Sequence, residues 1–477
     1  MKAKVNVRTD KVISRIDDRL YSSFIEHMGR AIYTGVYEPD HPTADEFGFR
    51  QDVAEVIKPL NVSHVRYPGG NFLSGYNWKD GIGPKDQRPV RPELAWFSLE
   101  PNEVGTDEFL SWLERLGTKP MLGVNLGTGT PQSALELLEY VNGTTPTYYA
   151  DLRRKNGREE PYDVRLWCLG NEMDGPWQIC GKTAEEYARI ACETAKMMKW
   201  YDPSIELVAC GSSNPQMPTY GEWEKTVLKH CAEHVDYLSL HQYFSNADGD
   251  TPSFLAQSVV MEKNIKYVAS LCKAAKEEQK LDHDIYLSFD EWNVWYHFRQ
   301  KDVWPEQWIK ARPIDEEEYI PLDAVVVACA LNTLIRNSDT VKIACLAQLV
   351  NALSPILTEP GGKVTAQCTY YPFLYASKFS RGTAVKTETE CASYSCAAAD
   401  DVPYLDCSAV QCDDGSVSVL LANRADEEAE IELAFAGSFG STELYLQAEE
   451  GAERIELPAG APVKLPALSW AMLRLIP

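Results

Sequence analysis

Residues 164–171 read VRLWCLGN, a short and mainly apolar run that predicts a buried β-strand. The segment that follows, residues 183–201, has the apolar periodicity of a helix packed along one side. Thr183 and Glu186 form a capping-box pattern at its start, and Asp202-Pro203 ends it. A strand followed by a helix is therefore the local unit predicted here.

The same alternation continues along most of the chain. Most of the strand-like runs are apolar nearly throughout, as expected for strands that are covered on both faces. A second clear helix is predicted from Asp323 to Asn337. The eight predicted strands are Leu20 to His27, Ser63 to Pro68, Pro120 to Asn125, Val164 to Asn171, Leu207 to Ser212, Tyr237 to Tyr243, Ile285 to Glu291 and Lys342 to Leu349. Eight strand–helix alternations predict an α/β fold, a (β/α)8 TIM barrel.

The pattern changes after about residue 375, where short strands are separated only by turns such as Asp413-Asp414-Gly415 and Gly437-Ser438-Phe439-Gly440. This pattern predicts an accessory C-terminal all-β sandwich. Its clearest strands are Val417 to Ala422, Ile431 to Phe435, Glu443 to Leu446 and Leu468 to Leu475. Residues 1–16 are also strand-like, so we expect a barrel over 17–374 and a β-sandwich domain built from 1–16 plus 375–477.

Charge and composition argue against a nucleic-acid-binding or membrane-spanning protein. The 477 residues include 46 basic and 70 acidic side chains, a net charge of −24 that repels nucleic acid and anionic membranes. The first residues lack the apolar run of a secretory signal, and no segment is apolar for the roughly 20 residues of a membrane span. With 13 cysteines, many of them inside apolar runs, these features predict a cytoplasmic protein with reduced thiols.

Polar side chains follow the apolar strands repeatedly. Barrel enzymes carry their chemistry at the carboxyl ends of the strands, so these side chains are expected on one rim. The polar strand endings are Glu26, Asn71, Asn171-Glu172, His241-Gln242-Tyr243, Asp290-Glu291 and Gln348.

Two of these residues, Glu172 and Glu291, suit the cleavage of a glycosidic bond, which needs one protonated and one ionised carboxyl group. Amides such as Asn71 and Asn171 can hydrogen-bond sugar hydroxyls without adding charge. Tryptophans, whose rings stack on sugars, are expected in loops after strands, and the segment from Trp295 to Tyr319 is long enough for a lid or subsite wall. These tryptophans are Trp96, Trp177, Trp292, Trp295, Trp304 and Trp308.

The segment WCLGNEMDGPWQ, residues 167–178, resembles the acid/base motif of the glycoside hydrolase family 51 α-L-arabinofuranosidases. DEWNVW, residues 290–295, resembles the nucleophile motif of that family. The similarity extends to RYPGGNF at 66–72, AQLVN at 347–351 and the segment 465–475, and so covers nearly the whole chain.

The resemblance implies a role for each matching residue. Glu172 would be the general acid/base and Glu291 the nucleophile of a retaining, exo-acting enzyme that releases terminal arabinofuranosyl residues from arabino- or arabinoxylo-oligosaccharides. Tyr243 would also hold the nucleophile through its hydroxyl group, and Trp96 would lie near the site in a loop. The residues implied to bind the arabinofuranosyl ring are Glu26, Asn71, Asn171, Tyr243 and Gln348. The family further implies no cofactor and assembly into hexamers.

Three other functions remain open from the residues alone. The same chemistry could act on a xyloside or an internal glucan bond, and a barrel of this kind could bind carbohydrate without cleaving it. His230-Cys231-Ala232-Glu233-His234 matches a short zinc signature, which would suit a metal-dependent hydrolase. That pattern precedes a strand instead of ending one, so we predict a solvated helix face there and no metal site.

Overall fold

The computed structural model describes residues 1–296, 308–435, 439–448, 451–458 and 460–477. The strands in chain order are β1 (Lys2–Arg15), β2 (Ser22–Phe24), β3 (His64–Tyr67), β4 (Arg91–Glu93), β5 (Ser98–Glu100), β6 (Lys119–Val124), β7 (Leu166–Leu169), β8 (Glu206–Ala209), β9 (Tyr237–Phe244), β10 (Tyr286–Val294), β11 (Val341–Ala347), β12 (Ile356–Thr358), β13 (Val364–Ala366), β14 (Gly382–Glu390), β15 (Ser393–Tyr394), β16 (Val402–Pro403), β17 (Leu405–Cys412), β18 (Val417–Asn423), β19 (Ala429–Phe435), β20 (Ser441–Gln447), β21 (Ala452–Leu457), β22 (Val463–Leu465) and β23 (Ser469–Ile476).

The α-helices are α1 (Gln51–Ile57), α2 (Thr106–Leu116), α3 (Pro131–Asn142), α4 (Tyr148–Lys155), α5 (Ala184–Tyr201), α6 (Glu222–Cys231), α7 (Thr251–Leu255), α8 (Gln257–Gln279), α9 (Pro321–Arg336) and α10 (Tyr370–Phe379). Short 3-10 turns cover Asp18–Tyr21, Lys58–Leu60, Asn71–Gly75, Trp78–Gly81 and Lys85–Gln87. Within the described ranges, no helix has the length and apolar content needed to cross a bilayer.

A closed barrel of parallel strands forms the larger part of the molecule, in the order β2-β3-β6-β7-β8-β9-β10-β11, with β11 pairing back onto β2. Each predicted strand run overlaps one of these strands, so the predicted TIM barrel is confirmed. All four residues of β7 are buried because the barrel interior covers one face and helices cover the other.

Helix α5 shows how local sequence sets an element boundary. The backbone N–H of Glu186 donates to Thr183 Oγ1 over 3.3 Å, and the Glu186 carboxylate accepts from the Thr183 N–H over 2.9 Å. These bonds satisfy two backbone donors that a helix start leaves open. The predicted capping box is therefore present, and α5 ends at Tyr201, next to the predicted Asp202-Pro203 terminator.

A nine-stranded sheet forms the C-terminal domain of strands, in the order β21-β20-β23-β18-β17-β14-β1-β19-β22. The N-terminal strand β1 pairs antiparallel with β14 and parallel with β19. One face of the sheet, including Trp470 and Met472, joins the barrel core against α9. The other face, including Val419 and Leu473, has a separate apolar core. The Asp413-Asp414-Gly415 turn is observed, whereas Gly437 and Ser438 of the other predicted turn lie outside the described residues.

Candidate active site

The carboxyl ends of the barrel strands open into a cleft of about 1040 Å³. Of the eight side chains predicted for the site, all but Asn171 line this cleft. They are Glu26, Asn71, Trp96, Glu172, Tyr243, Glu291 and Gln348. Asn171 is buried behind the wall, where its Oδ1 accepts a 2.6 Å bond from Arg66.

The Glu291 side chain projects from β10 and is buried, with 5% of its surface exposed. Arg66 donates to Oε1 over 2.6 Å, and the Tyr243 hydroxyl donates to Oε2 over 2.7 Å. Burial disfavours the Arg66 charge, but the Asp290 and Glu291 carboxylates outweigh it and hold the guanidinium pKa well above its ordinary value. Glu291 therefore accepts from a permanent cation and has a fixed orientation.

Glu172 lies in the loop after β7, where its backbone has a left-handed φ of +43°. Trp177 donates its indole N–H to Oε2 over 2.7 Å, and His241 Nδ1 is 2.9 Å from Oε1. Left-handed backbone is uncommon outside glycine and clusters at functional sites. The turn directs the Glu172 side chain into the cleft and toward Glu291.

His241 contacts both carboxyl groups; it is one of the predicted polar strand endings, but no role at the site was predicted for it. Its Nδ1 lies 3.5 Å from Glu291 Oε2 as well as 2.9 Å from Glu172, while Nε2 contacts Asp290 Oδ1 over 3.1 Å. Burial opposes the imidazolium form, but the surrounding carboxylates, Glu291 first, raise the His241 pKa well above 6.5. A cationic His241 therefore balances part of the negative charge between the catalytic candidates.

The cluster of Glu172, His241 and Glu291 also has the donor types of a metal site, since one ligand atom from each lies within 4.8 Å of the others. The Arg66 guanidinium already bonds Glu291 Oε1, and its positive charge would repel a metal cation. By contrast, the His230–His234 pattern forms no such cluster in the described part of the chain. His230 is part of α6, and its Nε2 lies 3.1 Å from Glu185 Oε1. His234 lies beyond the end of that helix.

Glu26 and Gln348 line the cleft next to each other, just after β2 and β11. Glu26 Oε1 accepts from the Phe72 backbone N–H over 2.8 Å and from the Trp96 indole over 2.9 Å. Gln348 Oε1 accepts from the Glu26 N–H over 2.9 Å. Burial, partly opposed by those donors, raises the pKa of Glu26 to about 8, so this carboxyl group is largely protonated at neutral pH.

Trp96 is carried by the β4–β5 hairpin, an element that the sequence patterns did not predict. Glu93 accepts from the Ala95 and Trp96 backbone N–H groups over 2.7 Å each and so shapes the hairpin tip. Glu100 at the other end bonds His27 Nδ1 over 2.8 Å. The hairpin thus ties Trp96 to the strand end that carries Glu26.

The other predicted loop tryptophans have different outcomes. Trp177 is 47% exposed at the cleft, and Trp295 meets the Tyr243 ring edge-on at 4.9 Å. Trp308 is 39% exposed and contacts Phe97. The loop position predicted for Trp292 is wrong, because β10 continues past Glu291 to Val294 and buries that indole completely. Trp304 lies outside the described residues, as do residues 297–307 of the predicted lid.

Arg66, His241 and Asp290 are site residues to which the sequence patterns gave no role, although His241 and Asp290 are among the predicted polar strand endings. All three are buried charged or ionisable side chains inside barrel strands. Such groups are rarely buried unless they are paired, so a search of the predicted strands for interior charges would have found them.

Two sequence-family models match the chain. One, described as the α-L-arabinofuranosidase 1 domain, matches residues 56–260, and the other, the α-L-arabinofuranosidase C-terminal domain, matches residues 290–452. An intracellular exo-α-(1→5)-L-arabinofuranosidase from Bacillus subtilis is 51% identical over 437 residues, which are 91% of this chain and 87% of the relative.

Solved structures agree with these matches. A family 51 α-L-arabinofuranosidase from Bifidobacterium longum superposes with a TM-score of 0.94 at 40% identity, covering 99% of both chains. An α-L-arabinofuranosidase from Thermotoga maritima, solved as an arabinose complex, gives a TM-score of 0.89 at 34% identity with the same coverage.

Proposed function

The chain belongs to the family 51 α-L-arabinofuranosidases of the glycoside hydrolases, and on that premise we propose that it acts by a retaining double displacement between Glu291 and Glu172. It is an exo-acting α-L-arabinofuranosidase. The assignment of a role to each side chain rests on the geometry of the cleft.

In the first step, the ionised Glu291 attacks the anomeric carbon of the terminal sugar. The bond from that carbon to the leaving oxygen breaks, and Glu172 gives its proton to the leaving oxygen. Arg66 and Tyr243 donate to the two Glu291 oxygens, which holds the nucleophile in one orientation for attack.

In the second step, Glu172 is ionised and takes a proton from water. The water oxygen attacks the anomeric carbon, the ester bond to Glu291 breaks, and the free sugar leaves with its original configuration. Trp177 and His241 bond the two Glu172 oxygens and hold the same carboxyl group in place for both proton transfers.

The closeness of the two carboxyl groups is the observation that supports retention. An oxygen of Glu172 and an oxygen of Glu291 lie within 4.8 Å of each other. Retaining glycosidases separate their carboxyl groups by about 5–5.5 Å, whereas inverting enzymes need about 6.5–9.5 Å to admit a water molecule between group and sugar.

Five side chains are proposed to bind the terminal arabinofuranosyl ring, and Trp96 to cover it. The binding residues are Glu26, Asn71, Asn171, Tyr243 and Gln348, of which four line the cleft directly. For Asn171, whose Oδ1 is held by Arg66, the role falls to its amide N–H, which lies 3.5 Å from Oδ1 of the cleft residue Asn71.

The name of the Bacillus subtilis relative supports a finer assignment, namely cleavage of (1→5) linkages inside the cell. We infer that the substrates are short arabino-oligosaccharides taken up from outside. Activity recovered from the culture medium instead of the cell lysate would contradict an intracellular role.

We also infer the domain boundaries and the assembly of the enzyme. The barrel is assigned to 17–374 and the β-domain to 1–16 plus 375–477, because β1 is paired on both sides by C-terminal strands. We infer a hexamer, for which light scattering would give six times the chain mass of 53.5 kDa. A monomer or dimer at working concentration would refute that assembly.

The deciding experiment follows the product by proton NMR as the purified enzyme hydrolyses (1→5)-linked arabinobiose. The α-anomer should form first and then mutarotate. Initial formation of the β-anomer would show inversion and refute the double displacement. Nitrophenyl β-xyloside and a glucan, assayed in parallel, should be hydrolysed far more slowly than nitrophenyl α-L-arabinofuranoside.

A further inference from the structure

Asp315 is a buried carboxyl group in the cleft wall that has no part in the mechanism above. It lines the cleft on the segment that follows β10, and only 6% of its surface is exposed. Among the described residues, none makes a hydrogen bond of standard geometry to Oδ1. A buried polar atom without a partner is costly and needs an explanation, which a ligand donor would supply.

The backbone holds this side chain at the cleft. The Asp315 carbonyl accepts from the Leu353 N–H over 2.8 Å and from the Glu317 N–H over 2.9 Å. Its φ of +49° is left-handed, a region that Asp enters more readily than most non-glycine residues, and these two hydrogen bonds hold it there. The position of the carboxyl group is therefore built into the wall and does not depend on a flexible loop tip.

The neighbours of Asp315 leave its charge uncompensated. The Trp295 side chain is its polar contact, and Glu317 adds a second negative charge. Burial, with Glu317 contributing, raises the pKa of Asp315 to about 7. Among the described residues, no cationic side chain acts on the pKa of Asp315. A neutral hydrogen-bond donor from a ligand would therefore stabilise the Asp315 carboxyl group.

Sugar hydroxyls are such donors, and the position of Asp315 indicates which sugar would reach it. The groups assigned to the terminal sugar come from strand ends at the floor of the cleft, such as Glu26 and Gln348. Asp315 instead lies in the loop between β10 and α9, and in barrel enzymes these loops, more than the strand ends, vary to set specificity. The cleft of about 1040 Å³ has room for more than one pentose ring.

We propose that Asp315 accepts a hydrogen bond from a hydroxyl group of the sugar on the leaving-group side of the cleaved bond, and so selects oligosaccharides over simple arabinosides. The inference deepens the proposed function and depends on it. It makes Asp315 a substrate-binding residue whose contribution varies with the leaving group.

The test compares two substrates in two variants. Asp315→Gly removes the carboxyl group while tolerating the left-handed backbone, and Asp315→Asn keeps the shape without the charge. We expect kcat/KM for (1→5)-linked arabinobiose to fall about tenfold or more in Asp315→Gly and less in Asp315→Asn. With nitrophenyl α-L-arabinofuranoside, whose leaving group has no hydroxyl donor, both variants should stay within about twofold of the wild type.

A matched control is Glu318→Gln, a neutralised acid three positions away on the exposed side of the same segment. Glu318→Gln should leave kcat/KM unchanged for both substrates. An equal loss on both substrates in Asp315→Gly would instead mean that Asp315 only supports Trp295 and Tyr243, and would overturn the proposal, as would no loss on either.

Different results would contradict the proposed function and the role of Asp315. A wild-type enzyme that does not hydrolyse nitrophenyl α-L-arabinofuranoside contradicts the proposed function itself. A wild-type enzyme that hydrolyses both substrates, with Asp315→Gly unchanged on arabinobiose, contradicts only the role of Asp315.

Discussion

His241 Nδ1 lies 2.9 Å from Glu172 Oε1, so the proposed acid/base is hydrogen-bonded to a buried imidazole and not only to solvent. The same ring nitrogen is 3.5 Å from the proposed nucleophile, and the other ring nitrogen meets Asp290. A change of charge on either catalytic carboxyl group is therefore felt by one shared cation.

The two carboxyl groups should respond differently to removal. Glu291→Ala should nearly abolish turnover of every arabinofuranoside, because no covalent intermediate can form. Glu172→Ala should lower kcat/KM for arabinobiose by about 10²- to 10⁴-fold but affect the first step much less for nitrophenyl α-L-arabinofuranoside, whose leaving group needs no proton. Steady-state kcat/KM values, which report the first step, test this on both substrates. Equal losses on the two substrates in Glu172→Ala would rule out its acid role.

Removing the Tyr243 hydroxyl should slow catalysis without a substrate preference. Tyr243→Phe loses the 2.7 Å bond to Glu291 Oε2, and a bond to a charged group corresponds to about 10- to 100-fold in rate. We expect that loss mainly in kcat and equally for arabinobiose and the nitrophenyl substrate. Tyr148→Phe, at a side chain 74% exposed, is the matched control and should behave as wild type. An unchanged kcat in Tyr243→Phe would contradict the contact.

The pKa of Glu26, raised to about 8 by burial, predicts a pH effect on activity. At pH 6–7 the wild-type carboxyl group is neutral, so Glu26→Gln should keep much more activity than Glu26→Ala. Above pH 8 the wild-type carboxyl group ionises close to Glu291, and kcat/KM should fall in a step that Glu26→Gln lacks. Profiles from pH 6 to 9.5 for the three proteins would show this. Identical alkaline limbs in wild type and Glu26→Gln would refute it.

His241 should also make stability depend on pH. Its pKa is raised in the folded state from an unfolded value near 6.5, so its contribution to stability is complete below about pH 6.5 and is lost as pH rises through the folded value. The Tm advantage of wild type over His241→Asn should therefore shrink between pH 6 and pH 9. His234→Asn, outside the cleft, is the control. A constant Tm difference across this range would contradict a charged His241.

Local sequence determined the elements of this protein. Strand segments such as 164–171 were predictable because continuous apolar runs report burial on both faces, and α5 was predictable because Thr183 and Glu186 cap it with bonds that span only three positions. Glu172 and Glu291 could be singled out for the same reason, since a carboxylate that ends an apolar run is a local feature. The family motifs around them added their roles.

Only the tertiary structure decided which side chains meet. Arg66 and His241 reach Glu291 because barrel closure brings β3, β9 and β10 around one interior, and no periodicity along the chain reports that distance. The pairing register extends β10 to Val294 and so buries Trp292. The Asp315 carbonyl accepts its hydrogen bond from Leu353 of another loop. Sequence patterns record which residues avoid water, whereas the contacts between strand ends depend on how the sheet closes.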